Sequence, residues 1–323
     1  MSTIGWGIIG CGHVCEIKSG PALMRARNSR IVAVMRRDAV AARDYAQRFG
    51  VPASYDHAEA LLADPNVDAV YIAAPPRYHH PYVLMAAAAG KPVLVEKPMA
   101  MNASEAEEMV AACEAAHVPL FVNYFRRALP RFVEIKNRLA DGAIGEVRTV
   151  TLAFSTPGLT SEAGSDGWRL RPDRGGNPFF DTACHHLDLL DFLLGPIADV
   201  RWHSTRQSLN SPANDLYTAS LRFESGIQAA ADWCYSAGIT TDLMEIVGSN
   251  GVIAFPVFDL EAPILIESEN DAEQLTVVPE PFVHLPFMQC VVDALNDEGE
   301  CPSTGRSALR TARIVDYILQ GRT

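Results

Sequence analysis

Val93-Leu94-Val95-Glu96-Lys97-Pro98 follows Lys91-Pro92 and sets the reading of the whole chain. Three apolar, mostly β-branched residues in a row read as a short strand buried on both faces, the kind that makes a parallel sheet. The pattern then breaks into an acid and an ammonium, and Pro98, which has no N–H, stops the ladder. In open parallel sheets, ligands collect just beyond the carboxyl ends of the strands. Charged residues at that place read as a reactive site or as an ordinary exposed strand end. The flanking sequence decides between the two.

Upstream, strands and helices alternate. Ile4–Ile9 reads as a strand, followed by Gly10-Cys11-Gly12-His13-Val14-Cys15 and a helix to about Arg27. This is the Gly-x-Gly-x-x-Gly/Ala layout with Cys15 in the last place. Gly10 makes the tight turn, and Gly12 lets the backbone approach a pyrophosphate at the helix N-terminus. His13 and Val14 are the side chains expected beside that group. Ile31–Met35 is a strand, Ala39–Phe49 a helix, His57–Ala63 a short helix, Val67–Ala73 a strand and Tyr78–Ala89 a helix. After the strand at 93–95 come a helix opened by the cap Asn102-Ala103-Ser104-Glu105 and a strand at Leu120–Val122. Such alternation predicts a doubly wound, parallel α/β sheet. Pro75-Pro76 stiffens a loop at the same edge, with His79 just beyond as a cofactor contact or a structural helix-start residue.

From about Asn123 the grammar changes. A helix at Pro130–Asp141 is followed by strands at Val147–Phe154, Val200–Gln207, Leu216–Phe223, Ile227–Tyr235, Leu243–Val247, Val252–Phe255, Ile264–Glu267 and Gln274–Val278, with helices at Val283–Asn296 and Ser307–Gln320. The prediction is a dinucleotide-binding Rossmann domain over 1–122, then an α+β domain over 123–323 with a large open antiparallel sheet. Within the second domain, Asp181, His185 and Asp188 stand at i, i+4 and i+7 on one helix face, and Leu187, Leu190 and Leu194 form the stripe expected to pack on the sheet. A carboxylate one turn from an imidazole can fix its tautomer and raise its basicity. The same residues also suit a capping Asp181 and a His satisfied by Asp188.

Composition narrows the partners. The 323 residues are 48% hydrophobic and 20% charged, with net charge −12, which is soluble-globular and offers no basic footprint for nucleic acid or an anionic membrane. No segment approaches a membrane span, and no leader precedes the first strand, so a cytoplasmic protein is expected. Seven scattered cysteines form no Cys-x-x-Cys pair, which argues against a zinc knuckle or a disulfide framework. No metal is expected.

Taken together, these residues resemble the Gfo/Idh/MocA family of nicotinamide-dependent oxidoreductases. The resemblance runs through the glycine turn, Pro75-Pro76 with His79, Lys91–Pro98, Tyr124–Arg127, Gly142–Gly145, Trp168-Arg169, Gly175-Gly176 and Asp181-x-x-x-His185-x-x-Asp188. Cys15 in the third glycine place, and Asn177 where a third glycine is frequent, depart from it. It implies a Rossmann domain, an open sheet that makes the oligomer interface, and Lys97, Asp181 and His185 around a substrate carbinol. The function expected is hydride transfer between nicotinamide and a carbinol or ketone carbon of a sugar, polyol or related cyclic diol. His185 would be the general acid/base oriented by Asp181, and Lys97 the donor to the substrate oxygen. Glu96 and Lys97 also border the cofactor, and Trp168 and Arg169 are candidate substrate contacts. The alternatives are a nucleotide-binding sensor without chemistry, or a redox-cycling glycoside hydrolase on the same scaffold.

Two expectations complete the reading. Apolar strands with few helices to cover them predict a homo-oligomer, a dimer or tetramer. After the second strand, Arg36 and Arg37 stand where NAD-binding proteins place an acid, which predicts NADP as the preferred cofactor, with NAD possible; Asp38 is expected to cap the following helix.

Overall fold

The computed structural model describes residues 2–157, 177–208 and 213–320. The first elements are β1 (Ile4–Ile9), a π-helical turn (Cys15–Ser19), α1 (Gly20–Arg25), β2 (Ser29–Met35), α2 (Ala39–Phe49), β3 (Ala53–Tyr55) and α3 (Ala58–Leu62). Next come β4 (Ala69–Ile72), α4 (His79–Ala88), β5 (Val93–Val95), α5 (Ala103–Ala115), β6 (Leu120–Val122) and α6 (Pro130–Ala140). Then follow β7 (Val147–Ser155), α7 (Pro178–Leu194), β8 (Ile197–Thr205), β9 (Leu216–Phe223), β10 (Gln228–Cys234) and β11 (Thr241–Gly248). The last are β12 (Gly251–Phe255), β13 (Ile264–Ser268), β14 (Ala272–Leu275), α8 (Leu285–Leu295) and α9 (Gly305–Leu319). No helix among the described residues is long and apolar enough to cross a membrane.

By contact the chain forms two units: residues up to Ala128 together with Glu280–Asp316, and Leu129–Pro279 with the chain end from Tyr317. In the first unit six parallel strands run in the order β3-β2-β1-β4-β5-β6. The order reverses between β1 and β4, which opens the crevice where such sheets bind ligands. β1, β4, β5 and β6 are buried at every residue, so their unbroken apolar runs were readable as parallel strands. The edge strand β3 was not anticipated, because three half-buried residues, Ala53-Ser54-Tyr55, carry no period to recognise.

Two further features of this unit depart from the sequence reading. The first helix is not a uniform α-helix. The Gly20 N–H bonds to Cys15 O, five residues back, and the Tyr45 hydroxyl donates to the same carbonyl at 3.4 Å. That widened turn explains Gly20, where a Cβ would lie 2.7 Å from the Tyr45 hydroxyl oxygen. The second departure is residues 280–316, which were read with everything after 122 but pack with the nucleotide unit. Phe287, Met288, Val291 and Val292 of α8 join Trp6, Ile8, Leu23 and Val34 in one buried cluster. An apolar stripe one turn deep covers a sheet face that would otherwise meet water.

Among the described residues the second unit holds eight strands in the order β14-β13-β12-β11-β7-β10-β9-β8. The sheet is mixed rather than wholly antiparallel, because β7 and β10 pair parallel. The long passage between them, which includes α7, supplies the crossover that a parallel pair needs. β9 and β10 alternate strictly, with Tyr217, Ala219, Leu221, Phe223, Ala229, Ala231 and Trp233 inward. α7 is buried nearly all round, including Asp188 and Asp191, well beyond the leucine stripe that was expected to pack on the sheet.

Caps define the helix starts. Asn102 Oδ1 accepts from Glu105 N at 2.9 Å, and Glu105 Oε2 reaches back to Met101 N at 3.0 Å. This reciprocal cap satisfies two N–H groups that a helix start leaves open. Asn102→Ala is expected to lower unfolding free energy by about 1 kcal/mol, read as a lower urea midpoint at unchanged slope.

Candidate active site

In the first unit, strand ends bring the predicted cofactor residues to one edge of the sheet. Gly10 has φ +91°, and a Cβ there would lie 2.7 Å from Ala74 N, so only glycine lets β1 turn beside the β4 loop. At Gly12 the situation is reversed: the nearest heavy atom to a Cβ would be Gly10 O at 4.0 Å. A side chain would stand in open space over the turn, the space a pyrophosphate needs against the helix N-terminus that begins with His13 and Val14. His13 is exposed and Val14 half-buried. Cys15 is fully buried with its Sγ 3.8 Å from Gly10 O, so a thiol fits the third position of the motif. These features fit a bound dinucleotide.

At the end of β2 the side chains divide by role. Asp38 Oδ1 accepts from Val40 N at 3.0 Å and Ala41 N at 3.1 Å, so this carboxylate caps α2 as expected. Arg36 and Arg37 are exposed. Arg37 lies over the Tyr78 ring at 4.7 Å, and Arg77 lies over the same ring at 5.0 Å. A protein of net charge −12 thus gathers three guanidiniums beside the β2 and β4 loops. Pro75 leads into the turn that carries Arg77 and Tyr78.

His79 has the structural of its two expected roles. Its ring is fully buried, with Nδ1 3.0 Å from Pro98 O and Nε2 2.7 Å from Ala74 O. Burial pushes its pKa down, against the opposing pull of those carbonyls. The imidazole braces the loop after β4 against the turn after β5, and both ring nitrogens face protein backbone.

The Glu96-Lys97-Pro98 turn leaves β5 with a cis Lys97–Pro98 bond. Glu96 is held in place from three directions. Tyr71 Oη and Asn123 Nδ2 each donate to Oε1 at 2.5 Å, and Lys97 N approaches Oε2 at 3.2 Å. Burial and the adjacent carboxylate raise the Tyr71 pKa well above its ordinary value, which keeps its hydroxyl a donor. Tyr71 and Asn123 were missed in the sequence because one sits in an apolar strand and the other just past one.

The second unit carries the other predicted reacting groups on α7. Asn177 Oδ1 caps the helix from Phe179 N at 2.8 Å and Phe180 N at 3.3 Å, which accounts for asparagine in a place where glycine is frequent. Asp181 is half-buried in the first turn, and His185 follows one turn on, buried. The neighbouring His186 is fixed by Trp233 Nε1, which donates to its Nδ1 at 3.2 Å. Phe258 meets both imidazoles edge to face, 5.9 Å from His185 and 5.0 Å from His186. Thr182 and Tyr235 share a hydroxyl–hydroxyl bond at 2.5 Å, tying the helix start to the end of β10. Phe258, Trp233 and Tyr235 lie 39 to 64 residues beyond the end of the helix, so nothing local marked them. Trp168 and Arg169 lie outside the described residues. Among the described residues, no group of three or more His, Cys, Asp or Glu side chains is placed to hold a metal.

Comparison with known proteins agrees with this anatomy. Residues 4–124 match an oxidoreductase family domain, the NAD-binding Rossmann fold of Gfo/Idh/MocA proteins, and residues 132–254 match a Gfo/Idh/MocA C-terminal domain. An oxidoreductase of Formosa agariphila is 36% identical, with 98% of each chain covered. The 1,5-anhydro-D-fructose reductase of Ensifer adhaerens is 31% identical over 94% of this chain and 92% of its own. The crystal structure of an oxidoreductase from Agrobacterium radiobacter, in complex with NAD+, L-tartaric acid and magnesium, has a TM-score of 0.86 at 26% identity, covering 98% of this chain and 95% of that one. The chain therefore belongs to the Gfo/Idh/MocA family and is an NAD(P)-dependent oxidoreductase.

Proposed function

We propose that the protein is an NADP(H)-dependent dehydrogenase or reductase that acts on a carbinol or ketone carbon of a sugar, polyol or related cyclic diol. The observation that carries the cofactor half is the division of labour after β2. Asp38 is committed to the α2 cap, which leaves Arg36 and Arg37 to meet the adenosine ribose. Guanidiniums grip a 2′-phosphate with paired, charge-assisted hydrogen bonds. The sugar class is supported by the reductase of Ensifer adhaerens, which is named for an anhydro-sugar substrate. The partly exposed Phe258 beside His185 adds an apolar face of the kind a sugar ring can pack on. A reducing, cytoplasmic setting suits the free thiols.

The dinucleotide, when bound, gives or takes the hydride. His185 removes the hydroxyl proton in oxidation and returns one to the carbonyl oxygen in reduction. Asp181, one turn earlier on α7, orients that imidazole. The Lys97 ammonium donates a hydrogen bond to the same oxygen and stabilises negative charge that develops there. The Glu96 carboxylate, pinned by Tyr71 and Asn123, keeps the turn under Lys97 in one conformation.

We also propose a homodimer through the outer face of the β8–β11 sheet. Most of the large apolar residues on these strands point inward, and the outer face offers a different set. One row across the outer face reads Arg201, Ser220, Ala230, Thr151, Glu245 in strict register. Its centre is small enough for another sheet to approach closely. Its ends are oppositely charged, so a second copy turned about an axis along the strands sets arginine opposite glutamate.

Three measurements test these readings. Titration of both cofactors should give at least a tenfold preference for NADP, since one charged contact contributes about 1.5–3 kcal/mol, and Arg36→Asp should abolish it. Equal affinities in the wild type refute the cofactor assignment. Against a panel of sugars and diols followed at the reduced-nicotinamide absorbance, His185→Asn and Lys97→Met should each lose about a hundred-fold in turnover; near-normal turnover in either removes that residue from the mechanism. Light scattering should give twice the monomer mass, and Ala230→Arg should return it to the monomer value.

A further inference from the structure

The nucleotide unit contains a buried imidazole that the reaction above does not use. His284 immediately precedes α8, is 4% exposed and stacks on Phe125 with ring centroids 4.4 Å apart. Its Nδ1 lies 3.2 Å from Asn123 Nδ2, the same amide nitrogen that donates to Glu96 Oε1. Asn123 is itself fully buried. An amide nitrogen has two protons, and here the acceptors for both are a carboxylate and an imidazole nitrogen. The geometry therefore requires an unprotonated Nδ1, with the ring proton on Nε2. Turning the amide over would place its oxygen against the Glu96 carboxylate, so only one orientation satisfies the network.

We propose that His284 is a positioning residue for the Glu96–Lys97 pair, holding the Asn123 amide against the Glu96 carboxylate and so fixing the backbone from which Lys97 projects. This rests on the reading of Lys97 as donor to the substrate oxygen. The linkage runs from His284 to Asn123, from Asn123 to Glu96 Oε1, and from Glu96 Oε2 to Lys97 N, with the Tyr71 hydroxyl donating to the same Oε1.

The electrostatic surroundings favour the neutral ring that the network needs. Burial is the largest influence and lowers the His284 pKa; Glu96 raises it, while Lys18, Arg126 and Lys97 lower it, leaving it at about 4. Protonation would put an N–H of the ring against the amide N–H groups and break the network, yet the ring stays neutral across the working range of an enzyme near pH 7. A mobile or solvated histidine would titrate near its ordinary value of about 6.5. The return of residues 280–316 to the first unit also places this imidazole against Asn123, one side chain away from the Glu-Lys-Pro turn.

The full-length protein, labelled with 15N-histidine, provides the first test. The His284 resonances, identified by their loss in His284→Asn, should report a neutral ring with its proton on Nε2 from pH 8 to about 5; titration near 6.5, or a proton on Nδ1, overturns the proposal. Kinetics provide the second. His284→Leu removes the acceptor and should lower kcat on the order of tenfold with the dinucleotide KM unchanged. His284→Asn, which presents a side-chain oxygen at nearly the Nδ1 position, should recover most of that loss. Wild-type kcat in His284→Leu, or no recovery in a folded His284→Asn, refutes the positioning role. Should His284→Leu fail to fold, the resonance measurement and His284→Asn still decide. Normal turnover in Lys97→Met would refute the underlying assignment of Lys97, whereas loss there with wild-type kcat in His284→Leu would refute the role of His284 alone.

Discussion

The nucleotide edge depends on a staircase of backbone hydrogen bonds across the parallel sheet. Gly10 N bonds to Met35 O, Ala73 N to Ile9 O, Glu96 N to Ile72 O and Asn123 N to Val95 O, each at 2.8–2.9 Å. Every donor is the first residue after its strand, and every acceptor is the last residue of the neighbouring strand. Parallel pairing thus delivers the glycine turn, the Pro75 loop, Glu96 and Asn123 to one line, at spacings set by the ladder rather than by any side chain. Side chains then refine the line: His79 braces two of its turns, and Tyr71 and Asn123 hold the acid.

Charge is handled in the same economical way. A carboxylate at the end of a buried strand is costly unless donors surround it, and Glu96 receives them from β4 and from the residue after β6. Asp38 is answered by two backbone N–H groups at a helix start, where the helix dipole also favours an anion. Once these acids are engaged, Arg36 and Arg37 remain exposed at the end of β2. The sign of the local field there is opposite to that of the protein as a whole.

How much of this was legible in the sequence follows from the range of each interaction. Local patterns carried well: the glycine turn, the Asn102 cap, the Asp38 cap and the buried runs of β1, β4 and β5 are all decided within a few residues. The strands of the second unit were found for the same reason, although the parallel pairing of β7 with β10 was not, since register between distant strands leaves no mark on either. The π-helical turn at Cys15 depends on Tyr45, thirty residues away. His284 and Asn123 are separated by 161 positions. Such contacts exist only after folding, and no periodicity announces them. α7 was placed correctly, but its leucine stripe did not show how far burial extends round the helix, since that depends on distant elements packed against it.

The split of the first unit between residues up to Ala128 and Glu280–Asp316 has a consequence for biosynthesis. The strand that carries Trp6 and Ile8 leaves the ribosome well before the helix that buries it is made. At about 5–20 residues per second the interval is about fifteen to fifty-five seconds, during which the whole of residues 129–279 is produced. The nascent chain must therefore keep an apolar sheet face protected from its neighbours until residues 280–316 arrive. The second unit, encoded as one almost continuous insertion, is under no such delay.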